Sequence, residues 1–237
     1  RQAMIDHGLQ PDFSREAMAE TGRLAAPADP PPGVADLTAL LWCSIDNDDS
    51  RDLDQLTAGE PLADGGARIL VAIADVDALV KKGSAIDHHA RTNTTSVYTA
   101  ARIFPMLPEK LSTNLTSLNA GEKRLALVVD MTVSADGEIT GARHYAAAVF
   151  NHAKLAYNAV AAWLDDAGPA PAAVAAVPGL DAALRLQDRV ALAMRRKRQE
   201  RGALRLETIE ARPVYENDRL VDMKPDQRNR AKDLIED

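Results

Sequence analysis

Between Leu41 and Leu56 the chain reads LWCSIDNDDSRDLDQL, a short apolar run that ends abruptly in five aspartates: Asp46, Asp48, Asp49, Asp52 and Asp54. Only Arg51 opposes them. Five carboxylates against one guanidinium leave a local charge of about −4, and like charges this close repel unless a cation sits among them. The apolar residues ahead of the acids (Leu40, Leu41, Trp42, Cys43, Ile45) are too few for an ordinary helix, and their β-branched and aromatic content suits a buried strand. The acids then form a loop leaving that strand. A rigid strand end holds Asp46 while the loop returns Asp52 and Asp54 to the same point, offering hard oxygen ligands suited to Mg²⁺ or Mn²⁺.

Two plainer readings compete. A run of charges is often a solvated turn. A calcium loop also fits at first, since Asp46, Asp48, Ser50 and Asp52 alternate as EF-hand ligands do. It then fails: Arg51 stands where the sharp turn needs glycine, and Thr57 where a bidentate glutamate belongs.

The sequence SIDNDDSRDLDQL resembles the catalytic pattern of the ribonuclease II and ribonuclease R family, an Ile-Asp pair followed by an Asp and then an Asp-x-Asp-Asp group. Asp46, Asp49, Asp52 and Asp54 fall on those positions, and Gln55 stands where the family has its last carboxylate. Three further blocks match in order: VAIADVDALVKKGSAID from Val71, RTNTTSVYTAARIFPMLPEKLS from Arg91, and SLNAGEKRLAL from Ser117. The resemblance implies a magnesium-dependent, hydrolytic 3′-to-5′ exoribonuclease that acts on single-stranded RNA and releases nucleoside 5′-monophosphates. It also implies that Tyr98 clamps the last nucleotides. Oligonucleotide-binding domains are expected to flank the catalytic domain in the parent protein.

Elsewhere the chain is ordinary. Its 237 residues are 46% hydrophobic and 27% charged, enough for a sizeable core. No run of about 18 apolar residues is present to cross a membrane, and the opening RQAMIDHGLQPDFS lacks a secretory h-region, so a cytoplasmic protein with no membrane partner is expected. The single cysteine, Cys43, lies in the expected strand and reads as core. A net charge of −7 argues against gripping nucleic acid over the whole surface, so RNA contacts should be local.

Residues 1–33 read as an N-terminal helix, capped by Ser14, and a Pro-rich connector (Pro27, Pro30, Pro31, Pro32, Gly33). Residues 34–237 read as the first part of a ribonuclease II-type catalytic domain, truncated at its C-terminal end. RILVAIADV is expected as a central strand beside the first, and Ser84 to Ala90 as a helical turn. His88 and His89 are adjacent and diverge, so they make no zinc pair. Ser96 to Met106 is expected as a strand, and LALVVDMTV and EITGARHYAAAVF as a hairpin about Ser134–Gly137. After Asn151 helices follow: KLAYNAVAAWLDD, then Asp181 to about Arg201 with a basic end that complements the helix dipole. The last residues, NRAKDLIED, read as a helix stopped partway, leaving Leu234 and Ile235 uncovered. The fold class expected is α+β, a curved, largely antiparallel sheet carrying an acidic metal site and covered by helices.

Asp46 and Asp54 are expected as direct metal ligands, with Asp52 as ligand or water-orienting group. Gln55 could lend a neutral carbonyl or orient a bound water, and Asp49 could hold the loop. Tyr98 and Arg102 are the candidate RNA contacts. The competing functional class is a non-catalytic remnant that binds an RNA 3′ end through a degraded metal site. A third is a structural domain organised by a divalent cation.

Overall fold

A computed structural model of the chain describes residues 1–99, 102–204, 210–216, 219–226 and 228–236. The elements run α1 (Gln2–Asp6), α2 (Arg15–Arg23), β1 (Ala35–Asp36), β2 (Cys43–Asp46), β3 (Gln55–Pro61), β4 (Ala67–Ala74), α3 (Ala85–Asn93), β5 (Val97–Tyr98) and β6 (Ile103–Phe104). Then come β7 (Lys123–Val133), β8 (Ile139–Phe150), β9 (Ala153–Ala156), α4 (Tyr157–Leu164), α5 (Ala172–Ala175), α6 (Leu180–Glu200), β10 (Glu210–Glu216), β11 (Arg219–Asp226) and α7 (Arg230–Glu236).

Seven strands form one sheet in the order β1-β8-β7-β4-β3-β2-β9. Neighbours are antiparallel except at the two edges, where β1 pairs with β8 and β9 with β2 in parallel. The sheet is thus largely antiparallel and the fold mixed α and β, as the sequence suggests. The strand RILVAIADV is central, but β3 lies between it and β2, pairing with β4 from Gln55↔Ile73 to Pro61↔Ala67. β3 hides in the sequence because Gly59 and Pro61 interrupt its alternation.

Strand alternation assigns each residue of β2 and β3 to a face. Trp42, Leu56 and Ala58 join Leu70, Ala126, Val128 and Val149 in a core on one side, where Trp42 Nε1 donates to the Leu37 carbonyl at 2.8 Å. Cys43 and Ile45 point the other way, into a core with Leu155, Val160, Trp163, Leu180, Leu184 and Leu234 beneath α4–α7. Each large side chain so buried contributes about 1.5–3 kcal/mol. Cys43 is fully buried, which pushes its thiol up to about 12.

Several expectations change. The segment expected to open a helix at Lys154 first runs as strand β9, whose Ala153 and Leu155 bury against β2, and the helix starts only at Tyr157. The helical turn after Ser84 is a nine-residue helix, with Ser84 Oγ accepting from Asp87 N at 3.2 Å. The strand expected over Ser96–Met106 is a small hairpin, β5 with β6, and its Ala100 and Ala101 lie outside the described residues. Leu234 and Ile235 are not uncovered: Leu234 is buried and Ile235 packs against the core under α4 and α6.

Other expectations hold. Ser14 Oγ caps α2 by accepting from Ala17 N at 3.1 Å. The β7–β8 turn closes at Gly137, where φ is +87° and an added Cβ would stand 2.4 Å from the Ala193 carbonyl carbon of α6. Only glycine fits there. The basic end of α6 locks onto the same turn, Lys197 to Asp136 at 2.6 Å and Arg201 to Glu138 at 2.5 Å, and Arg195 reaches Asp233 of α7 at 2.8 Å. Those charges serve the fold.

Candidate active site

β2 ends on Asp46, the loop 47–54 turns back, and β3 begins at Gln55, so the strand pair delivers both ends of the acidic run to one end of the sheet. The apolar residues before Asp46 anchor the outgoing strand, and buried Leu53 anchors the return. Asp46, Asp52 and Asp54 share one field: desolvation first, then the charges of Asp46 and Asp52, hold the Asp54 carboxyl above the usual carboxylate range. Asp54 is exposed by surface area, yet enough protein lies close to it for desolvation to raise its carboxyl.

Two tyrosines border the acids. Tyr98, at the end of β5, is 64% exposed, and its hydroxyl donates to Asp52 Oδ2 at 3.2 Å. Burial, followed by the charge of Asp52, raises its phenol. Tyr157 heads α4, directly after Ala156, the register partner of Asp46. Burial and then the charges of Asp46 and Asp54 push its phenol up to about 12. Both phenols therefore remain protonated donors at neutral pH. Lys154 of β9 holds the loop itself, donating to the carbonyls of Ser50 at 2.5 Å and Asp48 at 3.3 Å.

The other candidates divide. Asp49 is exposed in the loop, its N–H bonds Asp48 Oδ1 at 3.1 Å, and it is not among the charges that raise Asp54. Gln55 shares the α6-facing side of β3 with Thr57 and lines a cavity of about 80 Å³ with Cys43, Val71, Gln187, Leu234 and Ile235. Arg102 is exposed, 3.7 Å from Asp12 and stacked 4.9 Å over Phe104. His89 is buried against Phe13 with Nε2 3.1 Å from Asn93 Nδ2, a packing role. Tyr157 and Lys154 went unnoticed in the sequence. The switch from period 2 to period 3.6 inside KLAYNAV was the signal that could have exposed them.

The donor chemistry suits a hard divalent cation, being carboxylate oxygen with no guanidinium or ammonium paired to Asp52 or Asp54 among the hydrogen bonds described. The spacing is open: among the described residues no three His, Cys, Asp or Glu side chains are grouped tightly enough to grip an ion. Asp46, Asp52 and Asp54 would have to draw together around it, which is what cancelling their mutual repulsion favours.

Fold and site together define a mixed-sheet domain whose β2–β3 end carries an acidic face flanked by tyrosines. The chain belongs to the RNB domain family, whose model matches residues 34–237. It is 37% identical to Ribonuclease R of Vibrio cholerae over 99% of this chain and 29% of that protein, and 36% identical to Ribonuclease R of Escherichia coli over 86% of this chain and 25% of that protein. The chain therefore spans under a third of the length of these curated relatives. Among solved structures, Mycoplasma genitalium RNase R in complex with ribose methylated single-stranded RNA aligns with a TM-score of 0.89 at 25% identity, covering 98% of this chain and 36% of that one.

Proposed function

We propose that the protein is a 3′-to-5′ exoribonuclease acting on single-stranded RNA, cutting with the help of Mg²⁺ or Mn²⁺ and releasing nucleoside 5′-monophosphates in the cytoplasm. The observation that carries this reading is the shared field of Asp46, Asp52 and Asp54 at one sheet end, with an exposed Tyr98 bonded to Asp52. Family membership and the RNA complex of the M. genitalium protein support the substrate class. No described helix is long and apolar enough to cross a membrane, and buried Cys43 suits reducing surroundings.

Phosphodiester cleavage needs an activated water and neutralisation of charge growing on the phosphate. A divalent cation, when bound, supplies both. Asp46 and Asp54 would hold it, and Asp52, fixed by the Tyr98 hydroxyl, would hold it or orient the water. The exposed Tyr98 ring offers a face on which a terminal base stacks. Tyr157, protonated and beside Asp46, can donate a hydrogen bond to a bound strand. Domains beyond this stretch, expected from the greater length of the relatives, would deliver the RNA.

A second reading has one observation in its favour. Gln55 replaces a carboxylate of the family pattern, so the chain could bind an RNA 3′ end without cutting it. Single-stranded RNA labelled at its 3′ or 5′ end, incubated with and without Mg²⁺ and scored for binding and cleavage, separates the two. Immediate release of the 3′ label as mononucleotide, dependent on Mg²⁺, supports the enzyme; binding with no cleavage supports the remnant.

A further inference from the structure

Leu53 separates Asp52 from Asp54, and one distant segment holds its peptide on both sides. Its N–H donates to Ser117 Oγ at 3.0 Å, and its carbonyl accepts from Leu118 N at 2.8 Å. Ser117 is 2% exposed, and its hydroxyl lies 2.9 Å from Asn119 Oδ1 and 3.2 Å from the Arg51 carbonyl. One side chain thus spans the return arm of the acidic loop from residue 51 to 53.

The same segment reaches the outgoing arm. The Leu118 carbonyl accepts from Asn151 Nδ2 at 2.8 Å, and that nitrogen also lies 3.2 Å from Ser44 Oγ, two residues before Asp46. Asn151 is 1% exposed, and its Oδ1 accepts from Ala153 N at 3.1 Å, tying in β9. A continuous buried chain of bonds therefore runs from the strand that presents Asp46 to the peptide between Asp52 and Asp54.

We propose that Ser117 is a positioning residue for the carboxylates: it fixes the peptide at Leu53 and so sets where Asp52 and Asp54 stand relative to Asp46. The exoribonuclease reading says what those carboxylates do; the clasp itself does not depend on it. The physical need is clear. Three like charges on a short loop drive it to splay, and a buried Leu53 N–H without an acceptor would have to move out to water. Serine is short and has both an acceptor and a donor, so it satisfies the amide and a neighbouring acceptor at once. A loop released from Ser117 relaxes outward and carries Asp52 and Asp54 apart, so the site loses cation affinity without losing the surface that binds RNA.

The test compares wild type with Ser117→Ala and Ser117→Cys, the second a near-isostere with a much weaker acceptor that is read alone should the first fail to fold. Three quantities are measured: amide hydrogen exchange at Leu53, affinity for Mn²⁺ alone, and kcat against KM for single-stranded RNA. Exchange at Leu53 should speed up, and Mn²⁺ affinity and kcat should each fall about tenfold, the usual effect of removing a group that orients metal ligands, while KM changes little. Leu53 exchange unchanged in the variants overturns the clasp. Faster exchange with Mn²⁺ affinity unchanged reduces Ser117 to a structural residue, and a wild type that binds no Mn²⁺ also overturns the proposal. A wild type that binds Mn²⁺ in a Ser117-dependent way yet never cleaves RNA sinks the exoribonuclease reading and leaves the positioning role standing.

Discussion

The hydroxyl of Tyr98 donates to Asp52 Oδ2 at 3.2 Å across 46 positions of sequence, while the ring stays 64% exposed. One residue therefore offers two separable things, a hydrogen bond to the acidic loop and a free aromatic face. Tyr98→Phe removes the first and keeps the second; Tyr98→Ala removes both. Short single-stranded RNAs should bind Tyr98→Ala about 1–3 kcal/mol more weakly, the worth of one base stacked on an aromatic ring, and bind Tyr98→Phe almost as well as wild type. Fluorescence anisotropy with a labelled oligonucleotide reads this directly. Equal affinity in all three proteins would mean that the ring stacks nothing.

Asp54 should behave as a charge kept for the reaction at the expense of the fold. Its carboxyl is raised by desolvation and by Asp46 and Asp52, so the folded chain holds that proton more tightly than the unfolded chain does. The contribution favours folding at low pH and is lost as pH rises above about 4 and through the raised value. Asp54→Asn should therefore have a higher Tm than wild type at pH 7 without metal, and a flatter stability profile across the carboxylate range. Cleavage should drop by about 100-fold or more while RNA binding survives, because the lost charge acts on the transition state. Binding and cleavage falling together would remove Asp54 from the metal set.

The opposite sign is expected at Asp130, in the middle of β7. It is buried, accepts from Arg68 at 2.8 and 2.9 Å, from Arg143 at 2.9 and 3.0 Å and from Tyr145 Oη at 2.8 Å, and the Arg68 bonds above all hold its carboxyl well below the usual range. Its stabilisation is full above the unfolded carboxylate value and is lost as pH falls through the depressed one. Asp130→Asn should cost about 3 kcal/mol, the low end for breaking a buried pair, since both arginines keep solvent contact. Urea denaturation at pH 7 and pH 3 should show that penalty shrinking in acid. A penalty that does not change with pH would mean that packing, not charge, is what was lost.

Local chemistry was legible in the sequence where a few neighbouring residues decide the outcome. The Ser14 cap, the Asp-Gly turn with its Gly137 and the strand before the acids are of this kind, whereas Tyr98 was singled out by the family resemblance and not by its neighbours. Strand β3 was hidden because its QLTAGEP pattern matches neither period, and it exists only because β2 and β4 pair with it on both sides. β9 is four residues long, too short for periodicity, and is stabilised by parallel pairing with β2. The grip of Ser117 on Leu53 spans 64 positions, and a lone serine carries no pattern that would foretell it. What the sequence concealed is therefore the set of long-range bonds that turn an acidic run into a site.

Gln55 is where the site and the fold make competing demands. It sits one residue after Asp54, yet shares its side of β3 with Thr57, whose hydroxyl bonds Gln187 Oε1 at 2.5 Å, beside a cavity walled by Val71, Leu234 and Ile235. A carboxylate there would be partly desolvated and without a cationic partner, which costs stability, whereas a neutral amide is tolerated. Gln55→Asp should thus lower the Tm of the metal-free protein, and Mg²⁺ should restore more of it than in wild type, because the new charge can be satisfied only by a cation. In cleavage, the Mg²⁺ concentration for half-maximal rate should fall in Gln55→Asp, and Gln55→Ala should stay close to wild type if the amide merely fills space. A large rate loss in Gln55→Ala would instead give the amide a part in orienting water. A wild type that binds RNA but cuts at no concentration of Mg²⁺ or Mn²⁺, with cleavage appearing only in Gln55→Asp, would make this chain the non-catalytic RNA binder, its activity removed by a single carboxylate-to-amide exchange.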